Sequence, residues 1–324
     1  MLKFFEMAPP RPIRNKSASQ PAPYRANPPR PSAGATEVVD PVWLLKAVAA
    51  LVAVALLCGY ASLCYLLYQG QWQLILHPVR SSALPASIAG NPFTLVRFGP
   101  DGSAIPQLTS WAIPAAAGAR YSGLTILFLP AGDGSLIDFL PTLQALHAIG
   151  INIFAVDYRG YGQSAAIHPD QARMMHDAET SLAYLTTSRA VPEGQIIVYG
   201  VGLGASLATL LAAARPAIPA IILDSPAPDP LGTILRDPRT RFLPVNLLVH
   251  DRFPLKEPLS VLKTPKLLLA PDASEPAFTS ASAPRMRVDL PAPRSTGLYT
   301  LSITRFLDQY LAPRGVQQLQ LSHP

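Results

Sequence analysis

Few residues of this chain are of the types that build metal and redox sites. Among its 324 residues there are two cysteines and six histidines. Cys58 and Cys64 both lie in one long apolar run, so the chain after that run has no thiolate nucleophile and no disulfide. The motifs HExxH, CxxC and GxxxxGKS/T do not occur, and the glycines of GVGLGAS lack the GxGxxG spacing of a dinucleotide site. The sequence therefore predicts neither a metal nor a cofactor.

Charged residues are also scarce, at 14% of the chain. The net charge is +6, and four of these six charges lie before residue 47, where seven basic residues accompany three acidic ones. A nucleic-acid-binding protein needs its basic residues clustered on a folded surface. The sequence therefore predicts no nucleic-acid partner.

Residues 1–42 have few of the large apolar side chains that a folded domain buries, and they are rich in proline and alanine. Such a composition predicts a disordered, basic tail with some polyproline character. The tetrapeptide PPRP occurs twice and could bind an aromatic groove of a partner, although the composition favours a simple tether. A second short tail is predicted over residues 316–324.

The run from Ala47 to Tyr68 has no charged residue over 22 positions. A helix that crosses a bilayer needs about 20 apolar residues, so we predict one transmembrane helix within residues 43–70. A buried core helix would carry a polar stripe, and a cleaved signal peptide would lie nearer the N-terminus. Arg30 and Lys46 precede the helix and Arg80 follows it. The excess of basic residues before the helix predicts a single-pass membrane protein with a cytoplasmic N-terminus.

Residues 71–315 alternate between short apolar runs and longer helix-like stretches, which is typical of an α/β domain with a mostly parallel sheet and helices on both faces. The predicted strands are PFTLVRF, LTSWAIP, LTILFLP, INIFAVDY, QIIVYG, AIILDS, PKLLLA and RMRVDL. The predicted helices are SLIDFLPTLQALHAIG, PDQARMMHDAETSLAYLTTS, LGASLATLLAAARP and LYTLSITRFLDQYL.

The order of INIFAVDYRGYGQS, QIIVYGVGLGASLATLLA and AIILDSPAPDP resembles the α/β-hydrolase superfamily. The resemblance is strongest to its membrane-anchored, bud-emergence-type branch, which is serine aminopeptidase-like, and it extends from Tyr68 to about Leu311. It implies an eight-stranded α/β-hydrolase sheet whose active site lies at the carboxyl ends of the strands.

The resemblance also shows where this chain departs from an active hydrolase. The family carries its nucleophile in a turn G-x-S-x-G after the fifth strand, and the matching residues here are GVGLG, with Gly202 at the serine position. The catalytic acid falls on Ser274, with Asp272 and Glu275 nearby, and the catalytic histidine falls on Ser295. All three positions of the triad are therefore predicted to be degenerate.

The family's oxyanion loop, HGNxGN, matches PAGDGS after the third strand. Backbone N–H groups of Ala131, Gly132 and Leu203 could still bind a ligand oxygen, because they do not depend on side chains. Asp133 would place a negative charge beside them.

Relocated catalytic residues are the alternative to an inactive site. The candidate hydroxyls are Ser135, Ser206 and Ser225, and Asp224 could replace the acid, although a role in capping the next turn is favoured for it. Three histidines could act as bases, but each is more typical of a surface or packing position: His147, His168 and His176.

The sequence thus predicts a membrane-anchored, hydrolase-like protein that is catalytically inactive and binds a small apolar ligand or a protein partner through the old crevice. The alternative is an active esterase, lipase or peptidase-like hydrolase with relocated residues. A serine within hydrogen-bond reach of a base at the strand ends would favour the alternative.

Overall fold

The computed structural model describes residues 40–99, 106–227, 229–271 and 276–311. Most of both predicted tails lies outside these ranges, as does Ser274. Helix α1 spans Pro41–Gly70, so it begins two residues before the predicted segment. In the described part of the chain it is the one helix that is long and apolar enough to cross a membrane, with a mean hydropathy of 2.3 over its most apolar window. The boundary between the two compact units of the chain falls within α1, after Ala55, so residues 56–70 belong with the domain that follows.

Eight strands form one sheet in the order β10-β9-β8-β7-β4-β6-β3-β2, and a two-stranded sheet pairs β1 with β5. The strands are β1 His77–Pro78, β2 Thr94–Phe98, β3 Leu108–Ile113, β4 Tyr121–Leu129, β5 Asp133–Gly134, β6 Ile151–Asp157, β7 Ile196–Val201, β8 Ile221–Asp224, β9 Lys266–Ala270 and β10 Arg285–Asp289. The pairs β2 with β3 and β3 with β6 are antiparallel, and the other neighbours are parallel. The predicted mostly parallel, eight-stranded sheet is confirmed.

The helices after α1 are α2 Trp72–Ile75, α3 Leu140–Ala148, α4 Gln171–Ala183, α5 Gly204–Ala214, α6 Pro230–Arg236, α7 Val245–Leu248, α8 Lys256–Val261, α9 Pro276–Thr279 and α10 Thr296–Leu311. Short 3-10 turns cover Leu136–Phe139, Glu193–Gln195 and Pro238–Thr240, and a π turn, Tyr184–Ser188, extends α4. The four predicted helices correspond to α3, α4, α5 and α10.

Side chains of the central strand β4 alternate between two buried layers. Leu127 and Leu129 pack on the layer that contains residues of α4, α5 and α8. Ile126 and Phe128 pack on the other layer, with residues of α3 and α10. Because successive side chains of a strand point to opposite faces, a strand that is apolar throughout must be covered on both sides. Helices therefore cover both faces, as the sequence predicted.

The connection from β8 to β9 carries three short helices that the apolar pattern did not predict. We call residues 230–248, which include α6 and α7, the cap segment. Pro230 begins α6 and the Asp229 side chain accepts a hydrogen bond from Leu231 N at its N-terminus. Helix α7 is only four residues long and follows Pro244. Such brief turns offer too few residues for a helical periodicity to show in the sequence.

Candidate ligand-binding crevice at the strand ends

The turn between β7 and α5 keeps the backbone of a nucleophile elbow. Gly202 has a φ of +55°, in the left-handed region. A Cβ added to Gly200 would lie 2.3 Å from the carbonyl oxygen of Gly204, and a Cβ on Gly204 would lie 2.3 Å from that of Leu129. These approaches leave no room for any side chain on the two flanking glycines, which explains why the family pattern places glycine there.

The centre of this turn has closed against the loop after β4. A Cβ added to Gly202 would lie 2.8 Å from Cβ of Ala131, well inside van der Waals contact. Ala131 is short and fixed to the backbone, so it cannot rotate away. The turn therefore has neither a nucleophile nor space prepared for one.

A cavity of about 240 Å³ remains above the elbow. The predicted oxyanion-type residues Ala131, Gly132 and Leu203 all line it together with Gly202. The rest of the wall is mainly apolar and consists of Leu74, Ile75, His77, Asp133, Ala227, Pro230 and Thr233. The structure thus brings the sequence-predicted binding residues together around one open crevice.

The crevice contains an imidazole that the sequence analysis did not single out. His77 Nδ1 lies 2.8 Å from Oδ1 of Asp133, and both side chains are largely exposed. Pairing of β1 with β5 brings the two residues side by side, although 56 positions separate them. The Asp133 carboxylate, whose charge was expected to oppose an oxyanion, is therefore hydrogen-bonded to His77. The only signal in the sequence was the place of His77 directly after the membrane helix segment.

An arginine ion pair lies beside the position that the resemblance assigns to the catalytic histidine. Arg294, one residue before the matched position Ser295, donates from Nη1 to Oδ2 of Asp224 at 2.8 Å, and its Nη2 donates to Oδ1 of the same carboxylate. Asp224 ends β8 and is only 1% exposed. The predicted turn-capping role of Asp224 is wrong, because Arg294 and the Tyr199 hydroxyl bind this carboxylate. The same contacts leave it unavailable as a relocated catalytic acid.

Two buried tyrosines complete this cluster. The hydroxyls of Tyr199 and Tyr299 lie 2.7 Å apart, and the Arg294 guanidinium lies 5.0 Å from the centre of the Tyr299 ring. Burial, together with the charge of Asp224, raises the pKa of each tyrosine far above the ordinary value for a tyrosine. Burial alone lowers the pKa of an arginine, but the hydrogen bonds and charge of Asp224 raise the pKa of Arg294 above its ordinary value. The group that stands near the histidine position therefore cannot accept a proton.

The three serines proposed as relocated nucleophiles have other hydrogen-bond partners. Ser206 Oγ donates to the carbonyl oxygen of Pro254 at 2.7 Å. Ser225 Oγ donates to Asp224, and Ser135 Oγ donates to Asp138 Oδ2 at 3.3 Å. Ser135 also begins the 3-10 turn that leads into α3. Among the residues that the structure describes, none of these hydroxyls is hydrogen-bonded to a histidine base.

The histidines considered from the sequence lie away from the elbow as well. His147 is buried on α3 with its Nε2 3.0 Å from the carbonyl oxygen of Pro114. His168 stacks on Trp72, with ring centres 5.8 Å apart. His176 lies on an exposed position of α4, and Ser295 Oγ, also exposed, accepts from Leu298 N at 3.4 Å. A surface or packing role fits these positions, as predicted.

The DYRG motif braces the loop that follows β6. Arg159 donates from both its backbone N and its Nε to the buried carboxylate of Asp177, at 2.9 and 2.7 Å. Asp157 Oδ1 accepts from Leu136 N at 3.2 Å and so connects the end of β6 to the 3-10 turn Leu136–Phe139. Burial raises the pKa of Asp157 to about 6, although backbone hydrogen bonds oppose the shift. These contacts give Asp157 and Arg159 a structural role.

The strand order and the glycine elbow define the class of the fold as α/β-hydrolase. A family model described as serine aminopeptidase, S33, matches residues 136–266. Among solved structures, an esterase of Pyrococcus furiosus has a TM-score of 0.55 at 16% identity and covers 73% of this chain and 98% of its own. The α/β hydrolase GrgF of a Penicillium species has a TM-score of 0.54 at 16% identity, covering 68% of this chain and all of its own.

The sequence relatives are more similar but only partly covered. An uncharacterised protein of Mycobacterium tuberculosis is 28% identical over 203 residues, which are 57% of this chain and 66% of that protein. The bem46 protein of Schizosaccharomyces pombe is 33% identical over 103 residues, 31% of this chain and 34% of bem46. This chain thus matches less than two thirds of the length of either relative. The chain therefore has the α/β-hydrolase fold, and parts of its sequence are similar to the serine aminopeptidase family, S33, and to bem46.

Proposed function

We propose that this protein is a membrane-anchored member of the α/β-hydrolase superfamily that does not catalyse acyl transfer and instead binds an apolar ligand in the crevice above Gly202. The observation that carries the proposal is the state of the elbow. Gly202 has no nucleophilic atom, and Ala131 occupies the space that a side chain would need. A protein partner is the other occupant that the crevice could receive.

The loss of turnover expected without a nucleophile or a base is large enough to argue against residual serine catalysis. In a serine protease, removal of the nucleophile or the base alone reduced turnover by about 10⁶-fold, and binding and oxyanion donors retained about 10³ to 10⁴ over water. Here Gly202 stands at the nucleophile position, and Arg294 binds Asp224 beside the histidine position. Both features support a site without a working triad.

The composition of the crevice supports an apolar ligand. The apolar side chains of Leu74, Ile75, Leu203 and Ala227 line it, together with the polar pair of His77 and Asp133. Ligand sites are mostly apolar with a few polar groups that fix orientation. An acyl chain or similar hydrocarbon would be held by the leucines, and its polar end would be held by His77 or by backbone N–H groups of the old oxyanion loop.

The membrane anchor is part of the proposal. Helix α1 is 30 residues long, about 45 Å, and a bilayer core is about 30 Å thick. Large apolar side chains such as Leu56 and Leu57 are exposed on α1, at 70% and 67%. Lipid would cover these surfaces. The excess of basic residues before α1 favours an N-terminus in the cytoplasm and an α/β domain on the opposite side.

A second candidate function rests on the His77–Asp133 pair. A carboxylate that orients an imidazole is the arrangement of a general base, and this pair lines the crevice next to Gly132. His77 could remove a proton from water as the water attacks an ester carbonyl. This mechanism would need no serine and would form no covalent intermediate.

One set of measurements separates these functions. We would treat the full chain in detergent micelles with a fluorophosphonate, read the intact mass, and measure p-nitrophenyl ester hydrolysis in parallel, with an active serine hydrolase as control. We expect no adduct and no hydrolysis above the rate in buffer.

Each other outcome has a defined meaning. A stoichiometric adduct would overturn the proposal, and a peptide map would identify a relocated serine. Hydrolysis without an adduct, abolished by His77→Gln and retained in His147→Gln, would establish the second candidate. Binding of a fluorescent fatty acid, displaced by unlabelled oleate and weakened by Ala227→Arg in the crevice wall, would directly support the ligand-binding function.

A further inference from the structure

A second, larger groove lies between the end of α1 and the cap segment. Its volume is about 490 Å³. Leu63, Leu66 and Leu67 of α1 form one wall, and Leu243 of the cap segment contributes to the other. Leu74 lines both this groove and the crevice above Gly202. The two cavities therefore adjoin at one apolar side chain.

The groove changes in polarity along the helix. Leu63 to Leu67 form its apolar end, whereas Gln69, Gly70 and Gln73 form the other end. At a rise of about 1.5 Å per residue, Leu63 lies about 10 Å along the axis from Gly70. A lipid molecule has the same gradient, with a hydrocarbon chain below and a polar headgroup at the surface of the bilayer.

The outer side of the cap segment is unusually apolar for a surface exposed to water. Phe242 is 81% exposed and Leu247 is 83% exposed. The Tyr60 hydroxyl donates to the carbonyl oxygen of Phe242 at 3.3 Å, ten residues before the end of α1. Tyr60 lies within the apolar run of α1. Its contact with Phe242 therefore places Phe242 at the depth of the bilayer interface or of the acyl chains. Exposed apolar clusters of this kind mark protein or membrane contacts.

Basic side chains accompany these apolar ones. Arg236, Arg239 and Arg241 are exposed on the cap segment, against one acid there, Asp237. Arg239 lines the groove, and its Nε is 3.7 Å from Asp237 Oδ1, which is longer than a hydrogen bond. The Arg239 side chain is 84% exposed, so its guanidinium is free to meet a phosphate.

From these contacts we propose that the groove is a lateral binding site for an anionic phospholipid of the surrounding bilayer. The acyl chain lies against Leu63, Leu66 and Leu243, and the headgroup phosphate is bound by Arg239. This inference rests on the proposed membrane anchor. It identifies a bilayer lipid as the class of molecule that reaches the crevice, because Leu74 is shared by the groove and the crevice.

Site-specific photo-crosslinking tests the site in the full chain. The protein would be placed in nanodiscs that contain phosphatidylcholine and a smaller amount of phosphatidylglycerol. Four variants would carry p-benzoylphenylalanine, at Leu243 in the groove, at Phe242 on the cap segment, at Leu57 on the exposed face of α1, and at Leu301, which is 64% exposed on α10. After irradiation, intact mass would identify the attached lipid and its headgroup.

We expect lipid adducts at Leu243 and Leu57 and none at Leu301. The share of phosphatidylglycerol should be higher at Leu243 than at Leu57 by about fivefold, the enrichment expected of one basic side chain at an anionic surface. Arg239→Gln should remove this enrichment. Arg305→Gln, which removes the same charge from an exposed position of α10, should leave it unchanged. The same reporter in place of Phe242 should also label lipid. This variant controls for the possibility that the substitution at Leu243 itself disturbs the groove.

The outcomes distinguish this inference from the anchor on which it rests. Labelling at Leu57 but neither at Leu243 nor at Phe242 would leave the anchor standing and overturn the lipid site. An adduct of protein rather than lipid at Leu243 would identify a protein-docking groove and also overturn it. Equal headgroup shares at Leu243 and Leu57 would overturn the role of Arg239. No labelling at Leu57 would overturn the membrane anchor itself.

Discussion

At the scale of single residues, the elbow combines the backbone of a nucleophile turn with a glycine at its centre. Gly200 and Gly204 are still required by close backbone approach, and Gly202 still has a positive φ. A serine there would bear a strained backbone, and in an active enzyme that strain is maintained for function. Without the need for a nucleophile, glycine relieves the strain and allows Ala131 to approach.

Gly202→Ser is therefore expected to destabilise the protein without producing a hydrolase. The positive φ should cost about 1 kcal/mol and the overlap with Ala131 about 1 to 3 kcal/mol more. Denaturant unfolding in detergent, followed by circular dichroism, would measure the loss, and ester hydrolysis should remain at the rate in buffer because no triad histidine is restored.

Gly118→Ser is the matched control for this prediction. Gly118 has a φ of +76°, but a Cβ there meets no atom within 4 Å, so only the backbone cost should appear. Adding Ala131→Gly to Gly202→Ser should recover the steric part. If Gly202→Ser and Gly118→Ser lost the same stability, the contact with Ala131 would not be what closes the elbow.

The residue-scale findings also show what a sequence can and cannot indicate. Gly202 could be identified because the motif around it is local, and five adjacent residues define the turn. The pair of Arg294 and Asp224 joins residues 70 positions apart, and His77 and Asp133 are 56 apart. Neither pair has a local pattern, so only the assembled sheet shows that Arg294 binds the carboxylate of Asp224.

At the scale of elements, Arg294 fixes the loop before α10 to the end of β8. In active relatives the histidine loop must hold an imidazole over the nucleophile. Here the corresponding loop is held by two hydrogen bonds to Asp224, by the Tyr199 hydroxyl on the same carboxylate and by stacking on Tyr299. The interaction between the two elements has become structural.

Arg294→Met should destabilise the protein by about 3 kcal/mol, because it leaves the Asp224 carboxylate buried without its cation. Asp224→Asn should also be destabilising, and the double variant should lose less than the sum of the two. The double-mutant cycle would be measured by denaturant unfolding in detergent.

Arg120→Met provides the control for this cycle. Arg120 pairs with Asp308 at 2.8 Å, but its side chain is 65% exposed, so its removal should cost less than about 1 kcal/mol. An additive double variant of Arg294 and Asp224 would show that the two residues do not stabilise each other.

The elements differ in how far the sequence predicted them. The eight strands were found because each is a short apolar run bounded by glycine or proline, and burial on both faces requires such runs. The helices of the cap segment were not found, since α6 and α7 have seven and four residues. Two exposed apolar residues, Phe242 between these helices and Leu247 of α7, also depart from the pattern of a helix that packs on a core. A segment that faces lipid on one side is expected to carry exposed apolar residues of this kind.

At the scale of the whole molecule, α1 and the domain are joined without a linker. Residues 56–70 of α1 belong to the same compact unit as the sheet, and Leu67 is buried in the core layer of α4 and α5. Gln71, which follows α1 directly, accepts from the backbone N of His250 at 2.9 Å and of Asp251 at 3.2 Å. A crevice built on such a junction stays close to the bilayer, which fits a ligand drawn from the membrane.

The direction of insertion is the remaining prediction for the whole molecule. Basic residues before α1 predict a cytoplasmic N-terminus and an α/β domain on the opposite side. In a background with Cys58→Ala and Cys64→Ala, single cysteines at Ser17 and Gly194 would report the two sides. Gly194 is exposed, and its nearest potential neighbour is 3.9 Å away, so a side chain fits there. In intact cells, a membrane-impermeant maleimide should label Gly194→Cys and should label Ser17→Cys only after permeabilisation. The reverse pattern would place the crevice and the groove in the cytoplasm, where the groove would draw its lipid from the inner leaflet.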